Sequence, residues 1–200
     1  MAITFPPKTW DESQEDAILK VLHTGEEYLP FDERIFEIQK YYQALLDHFN
    51  TLGPYDVEER QAYLRYMFAD LGEDCYIEPP LNANFGGKFV HFEDRVYANS
   101  NLTLVDDTHI YVGAGTQLGP NVTLATAMHP LNHANRAKGF QYNKPVVIGK
   151  NCWFGADVIV QPGVRVGDNT VIGAGSVVTR DIPSNVLAFG TPCKVIRELP

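Results

Sequence analysis

Bulky apolar residues recur at every sixth position in one long stretch of the chain. They are Ile148, Phe154, Val160, Val166, Ile172 and Val178, and a glycine follows most of them. An α-helical period would lose this register within two turns, and the two-residue period of a strand does not repeat glycine every sixth residue. The pattern predicts a solenoid in which short strands turn corners at the glycines and one apolar side chain per hexapeptide points inward.

The same spacing occurs earlier in the chain, with interruptions. Val90, Val96 and Leu102 are six residues apart, and the register then slips before it resumes at Val112, Leu118 and Leu124. Residues 125–144 contain no hexapeptide at all. A long irregular segment in a regular scaffold is a common place for functional residues. We therefore expect residues 74–200 to form a β-helix with an excursion loop at 125–144 and a non-repeating C-terminal tail.

The first 73 residues have helical spacing instead and predict an N-terminal α-helical cap. Three helices are expected, from Asp11 to Thr24 with Ser13 and Asp16 as a capping pair, from an N-cap at Asp32 to Leu52, and from an N-cap at Asp56 to Leu71. A β-solenoid needs such a cap, because its end coil otherwise leaves apolar surface and unpaired strand edges in water. The predicted class is thus mainly β, with a helical cap.

Composition and charge mainly exclude certain classes of function. The formal net charge is −9, with 25 acidic against 16 basic residues, which argues against a nucleic-acid surface. The apolar runs are shorter than the ~20 residues that a membrane span needs. The N-terminus has neither the basic nor the apolar region of a signal peptide. The three widely spaced cysteines are expected to be reduced thiols, so the sequence predicts a cytoplasmic protein that binds neither nucleic acid nor membrane.

Six short motifs stand out beside the repeat. They are Tyr97-Ala98-Asn99-Ser100-Asn101, Asp106-Asp107, His129-Pro130, Asn151-Cys152-Trp153-Phe154-Gly155, Gly173-Ala174-Gly175-Ser176 and Pro192-Cys193-Lys194-Val195-Ile196-Arg197. With the helical N-terminus, they resemble the maltose/galactoside O-acetyltransferases, a family of hexapeptide-repeat acyltransferases. The resemblance runs from about Gly25 to the end of the chain.

The resemblance implies a left-handed parallel β-helix, against the usual right-handed preference of parallel crossovers. It also implies a homotrimer with active sites at the subunit interfaces. The reaction would be transfer of an acetyl group from acetyl-CoA to a hydroxyl of a sugar or similar small alcohol, with no metal.

His129 is the candidate general base. An alcohol is a poor nucleophile at neutral pH, so a base must take its proton as it attacks, and an imidazole titrates near that pH. The spacing alone is equally compatible with a solvent-facing loop histidine, and the family motif favours the base. His133 either orients His129 or is exposed, with exposure favoured. His109 is expected to be a solvated turn residue.

The resemblance also implies acceptor-binding residues. Asn99 and Asp107 match positions that hydrogen-bond the acceptor, although an asparagine in a turn can be purely conformational. Without the family resemblance, their neighbours Asn101 and Asp106 are equally good candidates for acceptor binding. Trp153 matches an aromatic residue near the catalytic channel, but packing between coils would explain it as well.

Three positions on the acceptor side depart from the galactoside enzymes. An acidic acceptor-binding residue there aligns with Pro30, and Asp32 follows two places on. Asn84 stands where those enzymes have a serine, and Gln141 where they have a methionine. Asp32 and Asn84 are therefore included among the acceptor-binding candidates. The identity of the alcohol stays open.

The coenzyme A residues follow from the same resemblance. Ala156 and Ala174 match positions along the pantetheine arm, where small side chains let backbone amides approach. Arg180, Lys194 and Arg197 are expected to form a basic cluster for the phosphates, with a hydroxyl from Thr179. Each base would, taken singly, also serve as an ordinary surface charge.

Two alternatives remain at this stage. His109, His129 and His133 could be zinc ligands of a γ-type carbonic anhydrase, which also forms a left-handed β-helix trimer. The His-Pro loop, the helical cap and the Pro-Cys-Lys tail favour the acyltransferase. The other alternative is a non-catalytic hexapeptide scaffold that only trimerises, which would show no saturable binding of acetyl-CoA.

Overall fold

The strands of the hexapeptide region form three parallel sheets, which follow one another around each coil. The computed structural model describes residues 3–200. Sheet A contains Asp70–Leu71, Val90–Phe92, Ile110–Val112, Val146–Ile148 and Arg165–Val166. Sheet B contains Tyr76–Ile77, Tyr97–Ala98, Gln117–Leu118, Trp153–Phe154, Val171–Ile172 and Val186–Phe189, and Lys194–Glu198 adds an antiparallel edge strand. Sheet C contains Leu81–Ala83, Leu102–Val105, Thr123–Ala125, Ile159–Val160 and Val177–Val178. The predicted left-handed parallel β-helix is confirmed.

The pairing register explains the apparent slip near residue 102. Phe92 pairs with Val112 in sheet A, and Leu104 pairs with Leu124 in sheet C, so these residues occupy equivalent inward positions of successive coils. Val90, Val96 and Leu102 lie two positions earlier and form a second buried row. The apparent slip arises because the first three residues belong to one set of buried positions and the later ones to the other. The segment between Leu104 and Val112 also contains additional residues. The first strand of sheet A, Asp70–Leu71, also begins before the expected start of the β-helix at residue 74.

The cap is helical as predicted, with corrections at the helix ends. Helix α1 is Glu15–Leu19, flanked by 3-10 turns at Glu12–Gln14 and Lys20–His23, helix α2 is Glu33–Phe49 and helix α3 is Val57–Met67. The first turn is capped by Asp11, whose carboxylate accepts from the Ser13 amide, and not by a Ser13–Asp16 pair. Asp56 precedes α3, but its carboxylate accepts from the amide of Gly53, 2.7 Å away, and not from the helix.

An asparagine side chain of the cap pairs with the first strand of sheet C. The Nδ2 atom of Asn50 donates to the Leu81 carbonyl and its Oδ1 atom accepts from the Leu81 amide, both at 2.8 Å. The amide group thereby supplies both hydrogen bonds that a neighbouring strand would offer to the first strand of sheet C. Phe49, Leu64 and Met67 are buried and continue the apolar core from the cap into the coils.

The excursion loop has more structure than its lack of hexapeptides suggested. Ala127–Met128 pairs antiparallel with Tyr142–Asn143, and a short helix α4, His133–Ala137, lies between them. Asn132 caps α4 with its side chain. The loop is thus a hairpin that leaves the β-helix at the corner between sheets C and A. Within residues 3–200, no helix combines the length and the apolarity needed to cross a bilayer.

Candidate active site

His129 lies at the base of the excursion hairpin, directly after Ala127–Met128. Its Nδ1 atom is 3.0 Å from the carbonyl oxygen of Phe140, on the other arm of the hairpin. A carbonyl oxygen can only accept a hydrogen bond, so Nδ1 carries the proton in this contact. In the neutral imidazole, the Nε2 atom then has a free lone pair, as a general base requires. The imidazole is exposed in the single chain.

Asp107 and Asn84 lie together at the same corner between sheets C and A. The Nδ2 atom of Asn84 donates to the Oδ2 atom of Asp107 at 2.7 Å. Burial raises the pKa of the Asp107 carboxyl group, while the hydrogen bond from Asn84, a contact with Gln141 and the charge of His129 act against that rise. Asp107, Asn84 and His129 therefore form one polar group at this corner.

Asp106 has a different environment from its neighbour. It is fully buried, and its two carboxylate oxygens accept hydrogen bonds from the backbone amides of Phe85 at 2.7 Å and Gly87 at 2.9 Å. Burial raises its pKa to about 7, against the effect of these donors. Gly86 has a φ of 61°, and a Cβ atom there would lie 2.4 Å from the Tyr42 carbonyl oxygen. Asp106 thus fixes the tight turn that carries Asn84, which leaves Asp107 as the residue that faces the site.

A second group of predicted residues lies at the corner between sheets B and C. Asn99, Trp153 and Ala156 line one shallow cavity of about 230 Å³. Trp153 is 58% exposed, so packing between coils does not explain it. Asn101 has a φ of 61°, in the left-handed region that asparagine tolerates, so the corner geometry accounts for it. Asn99 accepts a hydrogen bond from the Ser100 amide, 2.8 Å from its Oδ1 atom, and lines the cavity.

Small residues continue this corner toward the C-terminal end. The amide of Gly175 donates to the Ala156 carbonyl at 2.8 Å, which places residues 156 and 174 on neighbouring coils. A Cβ atom at Gly155 would lie 2.6 Å from the amide nitrogen of Ala174, so the coils approach closely only because residue 155 is glycine. Ala156 lines the shallow cavity, and Ala174 occupies the equivalent corner position on the next coil.

The predicted basic cluster is not formed within one chain. Thr179 and Arg180 follow Val177–Val178 at the corner between sheets C and A. Lys194 and Arg197 lie on the antiparallel strand at the edge of sheet B. All four residues are exposed, and no acidic side chain within residues 3–200 pairs with any of the three bases.

Asp32 is engaged elsewhere. Its carboxylate caps helix α2 through the Arg34 amide at 3.0 Å and forms an ion pair with the Arg34 guanidinium at 2.6 Å. The hydrogen bonds to Arg34 lower the pKa of the Asp32 carboxyl group. In the described part of the chain, no hydrogen bond joins it to Asp107, Asn84 or His129. The structure gives Asp32 a structural role and does not bring it to the other acceptor candidates.

The histidines do not form the proposed zinc triad. His109 is only partly exposed, contrary to its prediction as a solvated turn residue. Its Nδ1 atom is 2.8 Å from the Nε2 atom of His91, and its ring lies 4.6 Å from that of His23. His133 begins α4 and is exposed. Among residues 3–200, no His, Cys, Asp and Glu side chains are grouped as metal ligands would be.

The two halves of the candidate site are therefore separated within one chain. Each coil runs from sheet A to sheet B to sheet C, so sheet C alone borders both corners. One corner carries His129, Asp107, Asn84, Thr179 and Arg180. The other carries Asn99, Ala156 and Ala174, beside Trp153.

Sequence reasoning missed the residues that hold the excursion loop. Tyr28 forms an isolated bridge with Gln141, and Asn143 donates through Nδ2 to the Leu22 carbonyl and to the Tyr28 hydroxyl, both at 3.0 Å. Gln141 was noted only as a departure from the galactoside enzymes. Tyr28 lies in no periodic pattern, so its spacing gave no signal.

Comparison with known proteins agrees with this geometry. The maltose acetyltransferase hexapeptide capping motif matches residues 22–72, and the hexapeptide repeat of succinyl-transferase matches residues 145–180. The chain is 53% identical to a galactoside O-acetyltransferase from Lactococcus lactis, over 90% of this chain and 87% of that protein. The galactoside O-acetyltransferase of Escherichia coli is 46% identical, over 78% of this chain and 77% of that protein.

Solved structures lead to the same family. A maltose O-acetyltransferase from Clostridium difficile superposes with a TM-score of 0.89 at 36% identity, over 91% of this chain and 97% of that one. A galactoside acetyltransferase in complex with coenzyme A gives a TM-score of 0.87 at 41% identity, over 90% of each chain. The chain therefore belongs to the maltose/galactoside O-acetyltransferase family of hexapeptide-repeat acyltransferases.

Proposed function

We propose that this protein transfers an acetyl group from acetyl-CoA to a hydroxyl of a sugar or similar small alcohol, with His129 as the general base. The observation that carries the proposal is the contact between the His129 Nδ1 atom and the Phe140 carbonyl. In the neutral ring this contact leaves the lone pair on Nε2, and Asp107 nearby is a carboxylate that can hold a polyol hydroxyl. Relatives that are 53% and 46% identical carry the name galactoside O-acetyltransferase.

The reaction requires two proton movements that one imidazole can perform. His129 Nε2 accepts the proton of the acceptor hydroxyl as its oxygen attacks the thioester carbonyl carbon. When the carbon–sulfur bond breaks, the imidazolium returns that proton to the departing thiolate. The products are an acetyl ester and a free thiol, so atoms and charge balance.

The other corner has the chemistry that a coenzyme A thioester needs. The pantetheine arm is thin and carries amides, which suits a channel bordered by Ala156 and Ala174 with nearby backbone groups. The phosphates need cations, and Lys194 and Arg197 supply them from the edge strand of sheet B. Arg180, at the His129 corner, would reach them from a neighbouring subunit, and none of the three bases has an acidic partner within residues 3–200. Two structural relatives are described in complex with coenzyme A or acetyl coenzyme A.

A homotrimer would join the two corners. In a ring with three-fold symmetry, the same pair of surfaces meets at each of three interfaces, so one corner of each subunit can meet the other corner of its neighbour. Sheet C would then face the axis. Its outward residues carry no charge, and Thr103, Thr123, Ile159 and Val177 follow one another along it. In the trimer, His129 would be covered by the neighbouring subunit.

We also propose that the protein resides in the cytoplasm. Cys75, Cys152 and Cys193 are free and buried, and burial raises the pKa of each thiol, as suits a reducing environment such as the cytoplasm.

The direct test is a panel of sugars, glycosides and simple alcohols incubated with acetyl-CoA, with released thiol as the readout. Saturable, acceptor-dependent thiol release is expected. A protein that binds no acetyl-CoA would instead be a scaffold. Stoichiometric zinc together with hydration of carbon dioxide would support the carbonic anhydrase alternative.

A further inference from the structure

A short segment of the cap, residues 27–31, lies against the excursion loop. Tyr28 and Gln141 exchange backbone hydrogen bonds of 2.8 and 3.0 Å. The Glu27 carboxylate accepts from the Nδ2 atom of Asn135 at 2.8 Å. The ring of Phe31 lies so close to Gly139 that a Cβ atom there would be 2.8 Å from it. The segment therefore holds the excursion loop at three points, in α4, after α4 and beside the far arm of the hairpin.

The hydroxyl of Tyr28 lies inside this contact. Tyr28 is only 6% exposed, and its hydroxyl oxygen accepts hydrogen bonds from the Gln141 and Asn143 side-chain amides. Burial raises the pKa of the phenol, so it stays neutral in the range where an imidazole acts as a base. Removal of this oxygen would leave amide donors without their buried acceptor.

Gln141 connects this hydroxyl with both members of the proposed catalytic group. Its backbone follows Phe140, whose carbonyl oxygen holds the Nδ1 proton of His129. Its side-chain amide lies close enough to Asp107 to lower the pKa of that carboxyl group. A shift of Gln141 would therefore move the carbonyl that selects the His129 tautomer and the amide beside Asp107 together.

We infer, on the basis of the proposed role of His129 as base, that Tyr28 is a positioning residue of the active site. It acts through Gln141 and holds the Phe140 carbonyl where it keeps the proton on Nδ1 and the lone pair on Nε2. The helical cap then has a role in the reaction beyond covering the end coil, because it supplies the residue that orients the base.

The test compares Tyr28→Phe with Tyr66→Phe, a cap tyrosine whose hydroxyl contacts that of Tyr41 between helices α2 and α3. Nitrogen NMR of the histidine-labelled protein without substrate reports the His129 tautomer independently of activity. The Nδ1-protonated tautomer is expected to dominate in the wild type and in Tyr66→Phe, with a mixture in Tyr28→Phe. The kcat of Tyr28→Phe should fall roughly 10- to 100-fold, the cost of a misplaced catalytic group, while its KM for acetyl-CoA stays within about twofold.

An unchanged tautomer with unchanged kcat in Tyr28→Phe would overturn the inference. If that variant does not fold, Gln141→Leu removes the connecting amide and keeps the backbone bridge. It should shift the tautomer ratio in the same direction, and an unaltered ratio with unaltered kcat would again contradict the role. Failure of the wild type to transfer acetyl groups would refute the proposed function, whereas the NMR comparison would still decide whether Tyr28 fixes the His129 ring.

Discussion

The imidazole of His129 donates its Nδ1 proton to the Phe140 carbonyl across a 3.0 Å contact between the two arms of one hairpin. This contact orients the ring without a second titratable group. It also explains why no acidic partner for His129 was evident in the sequence, since any residue at position 140 has a carbonyl.

Replacement of the proposed base should abolish most of the chemistry and leave the fold intact. We expect His129→Ala to lower kcat for acetyl transfer by ~10²–10⁴-fold, the usual contribution of a general base. Acetyl-CoA binding and oligomeric state should be unchanged. His133→Ala, in the same loop and exposed, is the matched control and should keep wild-type turnover. Normal activity in His129→Ala would remove this residue from the mechanism.

Removal of the basic charges should weaken the binding of acetyl-CoA more than the binding of the acceptor alcohol. We expect the pair Arg180→Ala and Lys194→Ala to raise the KM for acetyl-CoA roughly tenfold or more, because each lost charge-assisted hydrogen bond is worth about 1.5–3 kcal/mol. The KM for the acceptor should change far less. Lys150→Ala, whose ammonium group pairs with Glu93 on another corner, serves as the control. A larger effect on the acceptor KM would mean that the donor site lies elsewhere.

The uncharged face of sheet C should be the trimer interface. Ile159→Lys places a charge on that face and is expected to yield monomers in analytical ultracentrifugation, with loss of activity. Val147→Lys places the same charge on the outward face of sheet A and should leave the trimer intact. Monomers from the Val147 variant and trimers from the Ile159 variant would assign the interface to the wrong sheet.

The turn below Asn84 depends on Asp106. Asp106→Asn keeps the shape but replaces one acceptor with an amide donor that faces a backbone N–H, so we expect a loss of about 1–3 kcal/mol of unfolding free energy. Denaturant unfolding measures this loss. The matched variant Asp157→Asn changes an exposed carboxylate that accepts from Asn121, and it should alter the unfolding free energy by less than about 0.5 kcal/mol. Equal stability of the two variants would contradict the structural role of Asp106.

The histidine cluster predicts a loss of stability in acid. Burial of part of the ring, with the charges of His109 and Lys88, lowers the pKa of His23 to about 4, and burial also lowers that of His109. The unfolded chain therefore binds more protons than the folded one below about pH 6.5, so this contribution to stability is lost as the pH falls from there toward 4. The unfolding midpoint of His23→Gln should depend less on pH in that range than the midpoint of the wild type. An equal dependence would show that His23 is not responsible.

The hexapeptide rhythm predicted the β-helix because each apolar position fills one inward site, and a shift of register would expose a whole row. The six-residue spacing alone could not distinguish two sets of buried positions, because residues two apart in a strand point to the same face of the sheet. Val90 and Phe92 show this ambiguity: both are buried, and only the pairing with Ile110 and Val112 assigns them.

The candidate site was predictable where a motif carries its own chemistry and less so where partners come from distant segments. His129 and Asp107 were proposed from motifs that resemble the family, and the burial and backbone hydrogen bonds of Asp106 support the choice of Asp107 over its neighbour. The basic residues were expected to cluster because the resemblance implies a phosphate site for coenzyme A. The sequence does not reveal that Arg180 lies at the corner between sheets C and A, whereas Lys194 lies on the edge strand of sheet B. Tyr28 was missed because its partners lie more than a hundred residues away.

The most direct measurement for the central claim is complementation between two inactive variants. His129→Ala damages one corner, and Ala156→Trp fills the channel at the other. If each site combines the two corners from different subunits, co-assembled mixtures contain native sites, about a quarter of the total for random three-fold assembly. Mixtures of His129→Ala with Asp107→Ala, both damaged at the same corner, should stay inactive. Activity restored only in the first mixture is the predicted result, and inactivity of both mixtures despite mixed trimers in native mass spectra would contradict a shared site.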